Sequence, residues 1–192
     1  MLRFLSFALL STCFFVFGFS QNVKAPSLKF REPHGNFVDP FSSGARARVF
    51  LFVRTDCPIT NRYAPELQRV AAEFKTQGAD FWLVYPDATE KPESVEKHIE
   101  QYRFPGAAIL DPRHELVALA HATVSPEAAV FSGAGILTYH GRIDDRYVDI
   151  GRSRPGGPQT HDLEEAVART LSGKPVLHPV TRAIGCSLAD IE

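Results

Sequence analysis

The sequence predicts an α/β fold, a central mixed sheet flanked by helices and preceded by a short hairpin. Three observations carry this. Apolar runs at 48–54, 80–85 and 107–110 read as strands. Amphipathic stretches with helical spacing separate them. Two further apolar runs flank Gly133-Ala134-Gly135 and read as a closing hairpin. Parallel strands need helical crossovers and hairpin strands are antiparallel, so this order gives a mixed sheet.

In chain order, Leu28-Lys29-Phe30 and Phe37-Val38-Asp39 flank the turn cluster Pro33-His34-Gly35-Asn36, an N-terminal β-hairpin. The central strand ends in Arg54-Thr55-Asp56, and Cys57-Pro58 opens a helix. Proline suits the first helical position, where its missing N–H costs nothing. Ile59, Tyr63, Leu67, Val70 and Phe74 form one apolar stripe. Arg62, Glu66, Arg69 and Glu73 lie opposite, spaced to pair. Pro65 should kink this helix and Gly78 end it. Asp80 to Tyr85 is the next strand, rich in aromatic and β-prone residues. A weaker helix covers 91–103, with Val95, Ile99 and Tyr102 inward. After the strand at 107–110, Asp111-Pro112 reads as cap and first residue of a helix over 112–121. Ser125-Pro126 breaks it, and Ala128–Phe131 and Ile136–Tyr139 form the closing hairpin. The Gly/Pro-rich stretch 151–159 reads as a loop. Thr160 should cap a last helix, with Asp162, Glu164 and Glu165 favouring its dipole and Leu163, Val167 and Leu171 inward. A tail follows over 174–192.

The 192 residues suffice for a sizeable core. Arg3 precedes an uncharged stretch from Phe4 to Phe19, the pattern of a secretory signal over residues 1–20. Its 16 residues fall short of the roughly 20 that span a bilayer. Cleavage near Ser20 leaves one domain, 21–192, secreted or periplasmic; an uncleaved leader would tether it to the membrane. With Arg3 gone the charge is 20 − 22 = −2. Such a chain offers no basic field for nucleic acid and no polybasic patch for lipid headgroups. Cys13 leaves with the leader, so Cys57 and Cys186 remain, in a compartment where disulfides persist.

Cys57 holds the chemistry. The start of a helix carries partial positive charge and free N–H donors, which favour a thiolate. Cys57 is a candidate nucleophile or ligand; the bland alternative is a staple or an inert core thiol. Three residues on stands Thr60, which can donate a hydrogen bond to a thiolate but cannot resolve a mixed disulfide. Cys186 is the one possible resolver within the mature chain. A bridge between them closes a loop of 186 − 57 = 129 residues and could stabilise by about 4–5 kcal/mol on the chain-entropy model. That number fits a catalytic pair and a staple equally well. No Gly-rich phosphate cradle, paired-carboxylate site or triad stands out, and no cofactor is expected.

A cysteine at the first strand–helix junction, with a proline just before the hairpin, resembles the thioredoxin-like fold. Asp56-Cys57-Pro58 with Asn61, Tyr63, Pro65 and Glu66, then Gly141-Arg142-Ile143-Asp144-Asp145-Arg146 and Gly185-Cys186, is similar to exported bacterial redoxins. Those belong to the alkyl hydroperoxide reductase and thiol-specific antioxidant superfamily. The resemblance covers about residues 25–188. It implies a cis bond at Ser125-Pro126, with the backbone there positioning a substrate sulfur. It also implies substrate contacts at Pro58, Asn61, Arg142 and Asp145, and an exported thiol–disulfide oxidoreductase or peroxidase-like redoxin. Its partners would be a thiol or disulfide substrate and an external thiol reductant. Peroxiredoxins carry a Pro and a Thr or Ser seven and three residues before the reactive cysteine. Phe50 and Arg54 stand there in this chain, which favours disulfide chemistry over peroxide. The rival expectation is a binding protein without turnover, holding Cu(I) through Cys57, Cys186 and one of His121, His140, His161 or His178.

Overall fold

The computed structural model describes residues 27–188. The expected leader at 1–20 lies outside them. Seven strands form one sheet in the order β2-β1-β5-β4-β3-β7-β8. These are β1 (Phe30–Arg31), β2 (Phe37–Val38), β3 (Ala47–Phe52), β4 (Ala79–Tyr85), β5 (Ala107–Leu110), β7 (Glu127–Ser132) and β8 (Leu137–Gly141). Strand β3 pairs parallel with β4 and antiparallel with β7, so the sheet is mixed as expected. The N-terminal hairpin β1–β2 attaches antiparallel to β5.

The sheet is buried on both faces, and β3 shows why an unbroken apolar run was needed. Its alternate residues point to opposite sides. Val49 and Leu51 join one core with the inner stripe of helix α1 (Pro58–Lys75) and with Leu163 and Val167 of α4 (Asp162–Leu171). Phe50 and Phe52 join a second core with Leu116 of α3 (Glu115–Ala120), Phe131 and Leu188. All five stripe residues of α1 are buried. Helix α2 (Pro92–Tyr102) buries Val95 and His98; Ile99 and Tyr102 are half-buried.

Several boundaries differ from the sequence reading. Pro65 lies inside the 18-residue helix α1, as expected, and the helix ends at Lys75, short of Gly78. Helix α3 begins at Glu115 rather than 112. A turn intervenes, and the Asp111 carboxylate reaches past it to accept the N–H groups of Glu115, Leu116 and Val117. The residue capping α4 is His161, not Thr160, whose hydroxyl donates to Asp162. The stretch 151–159 is not all loop: β10 (Arg152–Ser153) pairs with β9 (Tyr147–Asp149). The tail forms β11 (Cys186–Ser187), antiparallel to β6 (Val124–Ser125).

Arg48 is a buried charge within β3, 2% exposed. Its guanidinium donates to the carbonyls of Pro40, Phe41, Ser43, Ser132 and Gly133, which ties the segment after β2 to the β7–β8 turn. Among the described residues no helix is long and apolar enough to cross a membrane. Phe50 is fully enclosed, tilted against Phe41 and edge-to-face with Phe131. Phe50→Ala is expected to lower the unfolding free energy by about 3–5 kcal/mol. Ile136→Ala, at an exposed position, should cost less than about 0.5 kcal/mol. Urea denaturation of both variants measures the contrast.

Candidate active site at the start of helix α1

Cys57 is the N-cap of α1, with Pro58 at the first helical position. Its backbone closes a turn to the Arg54 carbonyl, and its own carbonyl receives the N–H of Asn61. The side chain lies at the end of the central strand and is 0% exposed. Three groups surround the sulfur. The Cys186 sulfur is 2.8 Å away. The Ser125 carbonyl oxygen lies at 3.0 Å, placed to accept the thiol proton. Thr60 supplies its N–H and its hydroxyl. The Thr60 hydroxyl also bonds the Ser125 hydroxyl at 2.9 Å.

The Ser125–Pro126 peptide bond is cis. It turns the chain from β6 into β7 and leaves the Ser125 carbonyl facing the Cys57 sulfur. The tail lies on this turn. Cys186 pairs with Ser125 and Ser187 with Val124. Gly185 makes the approach possible, since a Cβ there would overlap the Ser125 carbonyl. Leu188 anchors the far end in the second core, and its N–H bonds the Thr123 carbonyl at 2.9 Å. Arg54, paired with Asp56, donates to the Ser187 carbonyl at 3.0 Å.

The two thiols are driven apart in acidity. For Cys57, burial pushes the pKa up, but hydrogen bonds from Cys186 and Thr60 outweigh it and hold the thiol below its ordinary range. For Cys186, burial, the hydrogen bond it gives to Cys57 and the charge on Cys57 push the thiol up to about 12. Cys57 is therefore the more acidic of the two thiols, and it accepts the Cys186 S–H. Both cysteines are free. Their separation is about 0.8 Å more than the roughly 2.05 Å of a disulfide, so a bond needs only a small adjustment.

Of the residues expected at a site, Cys57, Pro58, Thr60, Ser125, Pro126 and Cys186 converge. Asn61 faces another way: its carboxamide oxygen bonds His98 Nε2 at 2.7 Å, and His98 Nδ1 meets the Tyr85 hydroxyl at 2.9 Å. Arg142 lines a small cleft with Pro126, yet its guanidinium is engaged by both oxygens of Asp162. Asp145 accepts the N–H groups of Gln159 and Thr160 and pairs with Arg154. Both are held in ion pairs that fix the loop between β8 and α4. Sequence reasoning missed Glu90, whose carboxylate accepts the Thr55 N–H at 2.8 Å and so braces the loop before Cys57. It also missed His98. No local pattern signals either residue.

Within the described residues one group brings three ligand-type side chains within 4.8 Å of one another: Glu66, His161 and Glu164. Arg69 already sits between its two carboxylates.

A mixed sheet with helices on both faces, a cysteine capping the first long helix and a cis proline beside it define a thioredoxin-like protein. The chain belongs to the AhpC/TSA family, whose family model matches residues 22–140. That span includes Cys57 and Pro126 and stops short of Cys186. No curated protein matches the sequence. Among solved structures, the chain is similar to a hypothetical protein from Sinorhizobium meliloti 1021, at 22% identity and a TM-score of 0.73, over 86% of this chain and 91% of that one. It is similar to an uncharacterized conserved protein from Geobacillus kaustophilus, at 25% identity and a TM-score of 0.70, over 86% and 89%. It is also similar to a secreted Mycobacterium tuberculosis disulfide oxidoreductase homologous to E. coli DsbE, at 17% identity and a TM-score of 0.54, over 78% and 98%.

The buried His98 yields a pH test. Desolvation lowers its pKa from 6.5 to about 4, so the native state holds the ring neutral. Its contribution to stability is complete above the unfolded value and is lost as pH falls from about 6.5 through 4. Wild type should lose stability over that window more steeply than His98→Phe, measured by urea midpoints at a series of pH values.

Proposed function

We propose that the protein is a thiol–disulfide oxidoreductase in which Cys57 and Cys186 cycle between dithiol and disulfide. The observation that carries this reading is the 2.8 Å approach of the two sulfurs at the helix start, beside the cis peptide. Cys57 is the attacking sulfur, because the helix start and the Thr60 N–H and hydroxyl, which stay in place when the tail lifts, favour its thiolate, and the thiolate is the nucleophile.

The Gly185–Leu188 segment first parts from Val124–Ser125, since Cys57 is enclosed while the tail is seated. The Cys57 thiolate then attacks one sulfur of an external disulfide. That S–S bond breaks, a mixed disulfide forms and one external thiolate leaves. Cys186 gives its proton to that departing thiolate and attacks the Cys57 sulfur. The Cys57–Cys186 bond closes and the second external thiolate leaves, taking a proton from solvent. Two electrons pass from the pair to the external disulfide, which departs as two thiols. The return needs an external thiol reductant. Its thiolate meets Cys186, the more exposed sulfur, and expels Cys57, the better leaving group by virtue of its lower pKa. A second reductant thiol then frees Cys186 and leaves as a disulfide with the first.

The family alone leaves peroxide open as the oxidant, but Phe50 and Arg54 occupy the positions where peroxiredoxins resemble one another in Pro and Thr or Ser. Copper ranks lower still, because among the described residues no histidine joins both sulfurs in a three-ligand group. An exported, secreted or periplasmic setting fits the leader-like residues 1–20, and the similar Mycobacterium tuberculosis protein is secreted.

Cys57→Ser should reduce disulfide-exchange turnover to background. Cys186→Ser should accumulate a mixed disulfide on Cys57, seen by mass spectrometry after reaction with oxidised glutathione. A Cys57→Ser protein that retains turnover, or an adduct that forms on Cys186 alone, would overturn the assignment.

A further inference from the structure

The tail lies beside Cys57 as a short strand fixed at two places. Thr181 holds the near end: its N–H donates to the His140 carbonyl at 3.2 Å, and its hydroxyl bonds the Tyr139 hydroxyl at 2.6 Å. Residues 182–184 belong to no helix or strand. The far end is seated on β6, with Cys186 opposite Ser125. Beyond the cysteine one peptide group is gripped from both sides. Arg54 donates to the Ser187 carbonyl at 3.0 Å, and the Leu188 N–H bonds the Thr123 carbonyl at 2.9 Å.

Lifting Gly185–Leu188, which access to Cys57 requires, bares a groove with three distinct positions. At the centre, a cysteine opposite Ser125 holds its sulfur 2.8 Å from that of Cys57. One residue earlier there is no room for a side chain, because a Cβ on Gly185 would overlap the Ser125 carbonyl. Two residues after the cysteine, Leu188 is 2% exposed within the second core. Its departure leaves an apolar hollow, which is unfavourable to keep empty and is relieved by another aliphatic side chain. The Thr123 carbonyl and the Arg54 guanidinium lose a backbone N–H and a backbone carbonyl, and a second extended chain restores both.

We propose that the external disulfide is carried by an extended polypeptide that takes the place of the tail on β6, with glycine before its cysteine and an aliphatic residue two positions after it. The proposal rests on the redox reading above and names its substrate class. Glutathione is a poor match, because its chain ends one residue after the cysteine and supplies neither the gripped peptide group nor the aliphatic side chain. The substrate cysteine sulfur sits where the Cys186 sulfur sat. The Cys57 thiolate attacks it, the substrate S–S bond breaks, and the other half of that disulfide leaves as a thiolate. Return of the tail then displaces the substrate strand and brings Cys186 back to Cys57, so product release and ring closure go together.

The test uses protein carrying Cys186→Ser, in which the adduct on Cys57 persists. Peptides blocked at both ends carry one cysteine as a mixed disulfide with nitrothiobenzoate, whose coloured thiolate reports each attack. Every rate is divided by that of the same peptide with free dithiothreitol. Gly-Cys-Ser-Leu should react at least about 10-fold faster than Ala-Cys-Ser-Leu or Gly-Cys-Ser-Ser. Adding Leu188→Ala, which weakens the seated tail, should speed Gly-Cys-Ser-Leu by about 10-fold or more. Equal rates for the three peptides, or a rate untouched by Leu188→Ala, would overturn the groove assignment; an adduct with oxidised glutathione would then leave the redox reading standing. No adduct from any disulfide, oxidised glutathione included, would overturn the redox reading and this proposal with it.

Discussion

The arrangement at the helix start depends on a pairing of two residues with two: Cys186 and Ser187 along Ser125 and Val124. Without it the tail sulfur has no reason to be near Cys57, which is 129 positions away in the chain. Each end of the pairing is braced. The absence of a side chain at Gly185 lets the backbones touch, Leu188 is sunk in the second core, and Arg54 holds the Ser187 carbonyl. The cis bond supplies the other half, since it fixes the Ser125 carbonyl between the strand edge and the Cys57 sulfur. Local backbone geometry, rather than a short Cys-to-Cys spacing, makes the pair.

Burial and acidity pull against each other at Cys57. A sulfur with no solvent exposure should be a poor thiolate, and desolvation is the largest single influence on it. The Thr60 amide and hydroxyl and the neighbouring thiol outweigh that influence. The same cover that encloses Cys57 leaves Cys186 partly open, so acidity and access fall on different sulfurs. The S–H that Cys186 gives to Cys57 offsets part of the cost of burying that sulfur.

Much of this was legible in the sequence. The apolar run of the central strand, the apolar stripe of α1 and the Cys57-Pro58 start are strong local patterns, and the structure keeps them. What was misread depends on side chains reaching across turns. Asp111 caps amides four to six residues on, so it marks a helix that starts later than Pro112 suggests. Two-residue strands such as β10 and β11 have no period to read, and glycine-rich sequence hides them. Asp144 and Asp145 look like solvated loop acids, yet both are buried against arginines and amides. Glu90 and His98 reach the vicinity of α1 from a neighbouring crossover, a relation that exists only once the sheet is assembled.

The length of chain between the two sulfurs couples covalent state to the unfolded ensemble. A bond there would tie residues 57–186 into a ring spanning most of the molecule, and the denatured chain would lose far more freedom than the native one. Thermodynamic closure then requires reciprocity. However much the ring favours the native state, the native state favours the ring by the same amount over the denatured chain. A mutation deep in either core, far from sulfur, would shift the midpoint potential of the couple only in so far as it weakens the ringed and the open native forms by different amounts.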